Sequence, residues 1–500
     1  MTHWVIAPIL LPMFLGCLLL LPLSLRAKRV LLMLGVVALI PLSVALLQST
    51  LSDEIRVYAL GGWAPPFGIS LVLDRLSALM LTLVSVLASF AALYAVRGDD
   101  EIGLNFHALF AFQLMGLNGA FLTGDLFNLF VFFEILLIAS YALLLHGVGV
   151  LRVRAGTHYV LLNLVGSTIF LLGLGVLYGT AGTLNMADLS MKVASATPDQ
   201  QPLLAAGAML LLVLFGLKAA MLPMYFWLPK AYVSATAPVA TLFAIMTKVG
   251  LYGILRVFTL IFGSTAGALA DMAVPLLWPV ALFTIALGVV GAVAAPTLKT
   301  LIAYLVVVSA GTLHAAAAIG TVEAIAAGLY YLVHSTLAAG AFFLLADLIA
   351  RERGEKRTRL ITGPPLRHPG LFGAMFFVAA ASIAGLPPLS GFLGKVSVLF
   401  SAAPGWQRGL LWSVLLIGGV GILTALSRAG STLIWRTKDK QPTSVPMDNI
   451  RFAAAVGLLL CSPLLVVFAQ PIFSFLHDTS TQLLDVERYH HLMHALGGAQ

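Results

Sequence analysis

Charge is what this sequence has least of: Asp, Glu, Lys and Arg together make up 10% of its 500 residues, while 60% are hydrophobic. A soluble chain of this length would form several domains with charged surfaces, so the composition excludes water as the main solvent and points to a membrane protein. Cysteine is nearly missing too. Cys17 and Cys461 both lie in apolar stretches, which argues against a disulfide framework and for two small packing residues. There is no Gly-rich phosphate loop, Cys-rich cluster, nucleophile elbow or nucleic-acid motif, so no cofactor, covalent catalysis or nucleic-acid partner is expected. The tail His490-His491-x-x-His494 has a spacing that could hold a metal on one helical face, but it reads better as a solvated terminus, and no metal is expected.

What the chain has instead is long apolar runs, too continuous for the alternating pattern of an outer-membrane barrel. They predict an all-α integral membrane protein with about 14 transmembrane helices. The spans fall near 4–24, 28–50, 70–96, 103–121, 126–146, 158–180, 203–235, 238–258, 273–295, 300–320, 325–349, 371–400, 409–427 and 452–470. The first lacks a basic region before it and a small-residue cleavage site after it, so it is expected to stay as a helix. The longest polar stretches, about 350–369 and 428–451, are too short to bury a soluble core. Nineteen Lys and Arg residues fall in alternate loops on one side, against Arg56, Lys192, Arg408 and Arg488 on the other. That bias places both termini outside the cytoplasm and accounts for most of the net charge of +8.

The seventh and twelfth spans are long and interrupted, by Leu222-Pro223 and Leu228-Pro229 in one and by Gly385-Leu386-Pro387-Pro388-Leu389-Ser390-Gly391 in the other. Proline removes a backbone donor and clashes with the preceding turn, so both helices should break at depth and free polar backbone for a cavity. The two breaks are five spans apart. Five-helix units made of spans four to eight and nine to thirteen would run in opposite directions, the inverted-repeat plan of many transporters. The organisation expected is 1–102 for the first three helices, 103–258 for one repeat, 273–427 for the second, and 428–500 for a cytoplasmic loop, helix 14 and a short tail.

Four charges lie deep in these spans: Glu134 in the fifth, Lys218 in the seventh, Lys248 in the eighth and Lys395 after the break in the twelfth. At roughly 2.5–3.5 kcal/mol each, they cost on the order of 10–14 kcal/mol to insert, so each needs a partner, a hydrated cavity or a function. A salt bridge between Glu134 and Lys218 that only orients helices would leave Lys248 and Lys395 without an acid. Three lysines and one glutamate cannot all be ionised cheaply, which favours a proton relay in which each site's charge alters the proton affinity of the next. His334, central in the eleventh span, suits the same relay, and His314 in the tenth is a weaker candidate. Asp74, Asp125 and Asp347, near span ends, suit capping, snorkelling or a water-filled entrance.

The run Gly124-Asp125-Leu126-Phe127-Asn128-Leu129-Phe130-Val131-Phe132-Phe133-Glu134 resembles the antiporter-like membrane subunits shared by respiratory complex I and the multisubunit Mrp/Pha (Mnh) cation/proton antiporters. The resemblance continues through Lys218 to Pro223, Trp227 to Ala231, Thr247 to Gly250, Leu298-Lys299-Thr300 to Tyr304, His334-Ser335 and Gly385 to Lys395. It implies a 14-helix subunit with two inverted five-helix repeats and a relay of Glu134, Lys218, Lys248, His334 and Lys395, with Asp125 and Lys299 as accessory positions. The D-subunit branch of the Mrp antiporters is the most similar. After Ala303-Tyr304 relatives tend to read Ser-Ser-Ile-Ser and then His or Gln, whereas this chain reads Leu305-Val306-Val307-Val308-Ser309; Ser309 or His314 is therefore expected to substitute through water.

The function implied is exchange of cytoplasmic Na+ or K+ for external protons by a transporter subunit, not an enzyme, with other antiporter subunits and membrane lipid as partners in a bacterial inner membrane. The alternative is a proton-pumping membrane subunit of NADH:quinone oxidoreductase or of a membrane-bound hydrogenase.

Overall fold

The computed structural model describes residues 2–63, 65–147, 149–438 and 446–497. The apolar runs are helices, because lipid offers no hydrogen-bond partners and each segment must satisfy its own backbone. In chain order they are α1 (Ala7–Leu20), α2 (Leu25–Ser49), α3 (Arg75–Ala95), α4 (Phe106–Leu122), α5 (Leu126–Leu145), α6 (Val150–Ala181), α7 (Met186–Ala194), α8 (Gln201–Lys218), α9 (Trp227–Ser234), α10 (Ala237–Phe243), α11 (Met246–Leu260), α12 (Val274–Val293), α13 (Leu298–Ile319), α14 (Val322–Glu352), α15 (Pro369–Ala384), α16 (Ser390–Ser401), α17 (Trp406–Gly430), α18 (Asn449–Val467), α19 (Ala469–Leu484) and α20 (Val486–Gly497). Among the described residues, 12 helical segments are long and apolar enough to cross a membrane. The 17-residue α4 and the broken pair α15–α16 are two further crossing elements, which brings the total to the expected fourteen.

The stretch expected to open the third span is not helical at its start. Ser70–Leu73 is a strand, β2, paired antiparallel with β1 (Arg56–Ala59), with Tyr58 opposite Leu71. The third helix begins only after Asp74, whose carboxylate accepts from Ser77 N at 2.8 Å while Ser77 Oγ accepts from Asp74 N at 2.9 Å, a reciprocal N-terminal cap.

The chain's end also departs from the short tail expected. The described residues after α18 form α19 and α20, which pack back onto the body. Arg256 of α11 holds Asp74 through both guanidinium nitrogens, at 2.5 and 2.6 Å, and Tyr489 of α20 donates to the same carboxylate at 2.5 Å. Removing one member of a buried pair of this kind costs about 3–5 kcal/mol. Arg488 adds a bond to Asp53 at 2.5 Å, and His490 lies 3.1 Å from Ser190 Oγ. His490 is thus part of a packed surface, while the side chain of His494 lies outside the described residues.

Burial sorts the helices into an inner and an outer set. The windows spanning α10–α11, α13 and α14 are 100%, 83% and 94% buried, whereas α2, α6, α12 and α17 expose apolar residues such as Leu34, Leu172, Phe283 and Ile417. Outer faces without charge suit contact with lipid. The polar groups are carried by the inner helices.

Candidate functional site

Both interrupted spans break, the seventh around Leu222-Pro223 and the twelfth at residues 385–389, while Leu228-Pro229 falls in the first turn of α9, where proline is tolerated. After α8 ends at Lys218, non-helical chain and a short 3-10 turn precede α9; after α15 ends at Ala384, residues 385–389 precede α16. The backbone groups freed by the breaks find partners inside the protein. Trp227 Nε1 donates to the Leu217 carbonyl at 2.9 Å, and Leu222 N donates to Thr284 Oγ1 at 3.0 Å. At the second break Gly385 takes φ +83°, a left-handed conformation that costs glycine no Cβ clash.

Each break sets a lysine against the C-terminal end of a half-helix. Lys218 is the last residue of α8. Lys395 stands in the second turn of α16 and folds back, so that Nζ donates to the carbonyls of Ile383 and Ala384 at 3.0 and 2.8 Å. These are terminal carbonyls of α15, left without helical partners and carrying the negative end of its dipole. The seventh-span lysine therefore precedes its break and turns its nitrogen to Asn163 of α6, whereas the twelfth-span lysine follows its break and caps the end of α15.

Glu134 and Lys218 form no direct ion pair; helix α6 stands between them. Ser167 Oγ donates to Glu134 Oε1, and one turn away Asn163 Oδ1 accepts from Lys218 Nζ at 2.8 Å. Asn163 in turn donates through Nδ2 to the Tyr159 carbonyl at 2.7 Å, which fixes the amide with its oxygen toward the lysine. The carboxylate remains within electrostatic reach of the ammonium. Sequence reasoning did not single out Ser167 and Asn163; the available signal was two polar residues four apart on an apolar helix.

Lys248 is completely buried on α11. Its nitrogen lies 3.5 Å from Ser309 Oγ of α13. Two residues further on, a Cβ on Gly250 would lie 2.4 Å from Ala219 N. Glycine there lets α11 close on the end of α8, and brings the backbones that carry Lys218 and Lys248 together.

His314 is buried one turn beyond Ser309, with no side-chain hydrogen-bond partner among the described residues. On α14, His334 Nδ1 is hydrogen-bonded to Ser390 Oγ at 2.8 Å. From there a serine chain runs on, Ser390 to Ser462 at 2.8 Å and Ser462 to Ser382 at 2.7 Å. His334 lies within electrostatic reach of both Lys248 and Lys395, and a Cβ on Gly391 would be 2.9 Å from its Nε2.

The accessory positions divide differently. Asp125 caps α5, accepting from Asn128 N at 2.8 Å. Lys299, at the start of α13, donates to the Ala235 carbonyl at 3.4 Å and is within electrostatic reach of Asp347. Asp347 accepts from Tyr94 at 2.9 Å and from Arg351 at 2.7 Å. Asp99, in the loop before α4, joins the same cluster through Arg351 at 3.4 Å and also accepts from Arg451 at 2.8 Å. Burial, then the neighbouring Asp347 carboxylate, pushes the Asp99 carboxyl up to about 6.

Comparison with known proteins fits this geometry. Residues 123–424 match a family model described as NADH:quinone oxidoreductase/Mrp antiporter, TM. The D subunit of a probable K(+)/H(+) antiporter of Rhizobium meliloti is 40% identical over 97% of this chain and 96% of its own length. The D subunit of an Na(+)/H(+) antiporter of Bacillus subtilis is 34% identical over 98% and 99%. Among solved structures, a chain of the Mrp complex from Dietzia sp. DQ12-45-1b superimposes with a TM-score of 0.89 at 25% identity, covering 98% of this chain and 99% of that one. A chain of respiratory complex I from Thermus thermophilus shares the fold at a TM-score of 0.81, with 96% of this chain and 99% of that one covered at 24% identity.

Proposed function

The chain belongs to the NADH:quinone oxidoreductase/Mrp antiporter family of membrane subunits, and from that premise we propose that it is the D subunit of a multisubunit antiporter exchanging cytoplasmic Na+ or K+ for external protons. The observation that carries this reading is the line of titratable groups along the spans, Lys218, Lys248 and His334 buried and Glu134 and Lys395 partly buried, each beside a hydroxyl, an amide or a broken backbone. Protons would pass from Glu134 by Ser167 and water to Lys218, which Asn163 holds in place, on to Lys248 and Ser309, and then by water to His334 and Lys395. A proton arriving at one site lowers the affinity of the next for its own, so the groups titrate as a coupled set rather than singly. Spans four to eight and nine to thirteen would be inverted repeats, and the basic loops would face the cytoplasm of a bacterial cell.

Asn163 is the group that positions the Lys218 nitrogen on this path, a role that a plain salt bridge would not need. Asn163→Leu leaves Glu134 and Lys218 in place but deprives a buried ammonium of its partner, which costs roughly 1–3 kcal/mol. Exchange is expected to fall by about tenfold or more, read from a pH-sensitive dye in everted vesicles after Na+ or K+ is added. Parent-like dequenching in this variant denies Asn163 that role.

The subunit should work only inside its complex. Vesicles holding the complete set of subunits are expected to exchange protons for Na+ or K+, and liposomes holding the purified chain alone are expected to give none. Robust cation-dependent proton flux from the chain alone overturns the multisubunit reading.

A further inference from the structure

A cavity of about 930 Å³ opens between α6, α9 and the start of α13, at the end of the molecule that carries most of the basic residues. Arg154, His158 and Lys230 line it, and no acidic residue does. Arg154 and His158 are four apart on α6 and share a face; Lys230 follows Pro229 on α9. None of the three forms an ion pair among the described residues, although other basic residues at this end, such as Arg97, Arg351 and Arg451, do. The His158 Nε2 atom is buried without a hydrogen-bond partner, an arrangement that a native fold seldom leaves unsatisfied.

The rest of the wall is apolar. Leu161 and Val233 line the cavity, and α6 continues along the same outer surface with exposed Leu164, Leu171 and Leu172. A site with two cations and an imidazole at the end of a span and an apolar wall running toward the membrane interior has the chemistry of a phosphate head joined to acyl chains. Charge complementarity selects an anionic lipid over a zwitterionic one. We propose that this cavity binds the phosphate headgroup of an anionic phospholipid, with its acyl chains lying along α6. The bound lipid would brace α9, the short half-helix that follows the first break, against α6, which carries Asn163 and Ser167.

The test uses the assembled complex in phosphatidylcholine nanodiscs containing a trace of photoreactive phosphatidylglycerol. Crosslinks are expected on the peptides that carry Arg154, His158 and Lys230. Excess unlabelled phosphatidylglycerol should compete them away, and excess phosphatidylcholine or inorganic phosphate should not. The double variant R154Q/K230Q should lower crosslinking by about tenfold or more. L161W, which fills the apolar wall and keeps every charge, should lower it as well, with the complex intact on a native gel. Unchanged crosslinking in R154Q/K230Q overturns the proposal. So does competition by inorganic phosphate as effective as that by lipid, which makes the site one for a free anion, and so does a protein–protein crosslink that fills the cavity with another subunit.

Discussion

Glu134→Ala and Lys218→Ala are each expected to lower cation/proton exchange by at least about a hundredfold, the scale on which single proton-transfer groups contribute. The complex should remain assembled in the membrane. The geometry separates these two outcomes. Glu134 is held by Ser167 and Lys218 by Asn163, with no direct ion pair between them, so removing either charge does not strip the other of its hydrogen bond. Deleting a charge from the membrane interior also removes its desolvation cost, which limits any loss of stability. Transport fails because a relay stops at its missing member even when the neighbours persist. Assembly is followed on a native gel and exchange by dye dequenching in everted vesicles; near-normal dequenching in either variant removes the coupling role.

The fourteen crossing elements and both breaks were legible because the bilayer sets strict rules. An uncharged run near 20 residues has few outcomes other than a helix, and proline in mid-span must break one. The buried charges were legible for the same reason, since a lysine at depth is costly wherever it stands. The short β2 strand was not: Ser70–Leu73 lies just before an apolar run, and one serine followed by three apolar residues carries no period that separates strand from helix. The α19 and α20 helices escaped notice because they are amphipathic and polar on one face, which resembles a solvated tail until Arg488, Tyr489 and His490 are seen docked.

Within the site, hydroxyls and amides were the least legible parts. Ser167 also donates to the Asn163 carbonyl at 3.0 Å, the ordinary behaviour of serine in an apolar helix, so nothing in the sequence marks it as Glu134's partner. Ser462 is distant in the chain from Ser382 and Ser390, and the three become a row only when α15, α16 and α18 pack around His334. The charge pattern argued against a Glu134–Lys218 salt bridge as the whole account but gave no sign that α6 stands between the two.

Lys248 is where the central claim, lateral passage of protons between the two halves, can be tested most directly. It lies between the first break and His334, is fully buried, and has only a long bond of 3.5 Å to Ser309. Unlike Lys395, it caps no helix end. Methionine is similarly long and unbranched and fills such a space without charge, so Lys248→Met removes a titratable site and disturbs little else. The measurement is the initial rate of proton movement in everted vesicles after Na+ or K+ is added, normalised to assembled complex. The account predicts a rate at least about a hundredfold below the parent, with Glu134, Lys218, His334 and Lys395 all present. A Lys248→Met complex that exchanges at the parent rate contradicts it, because protons would then be crossing without the lysine placed between Lys218 and His334.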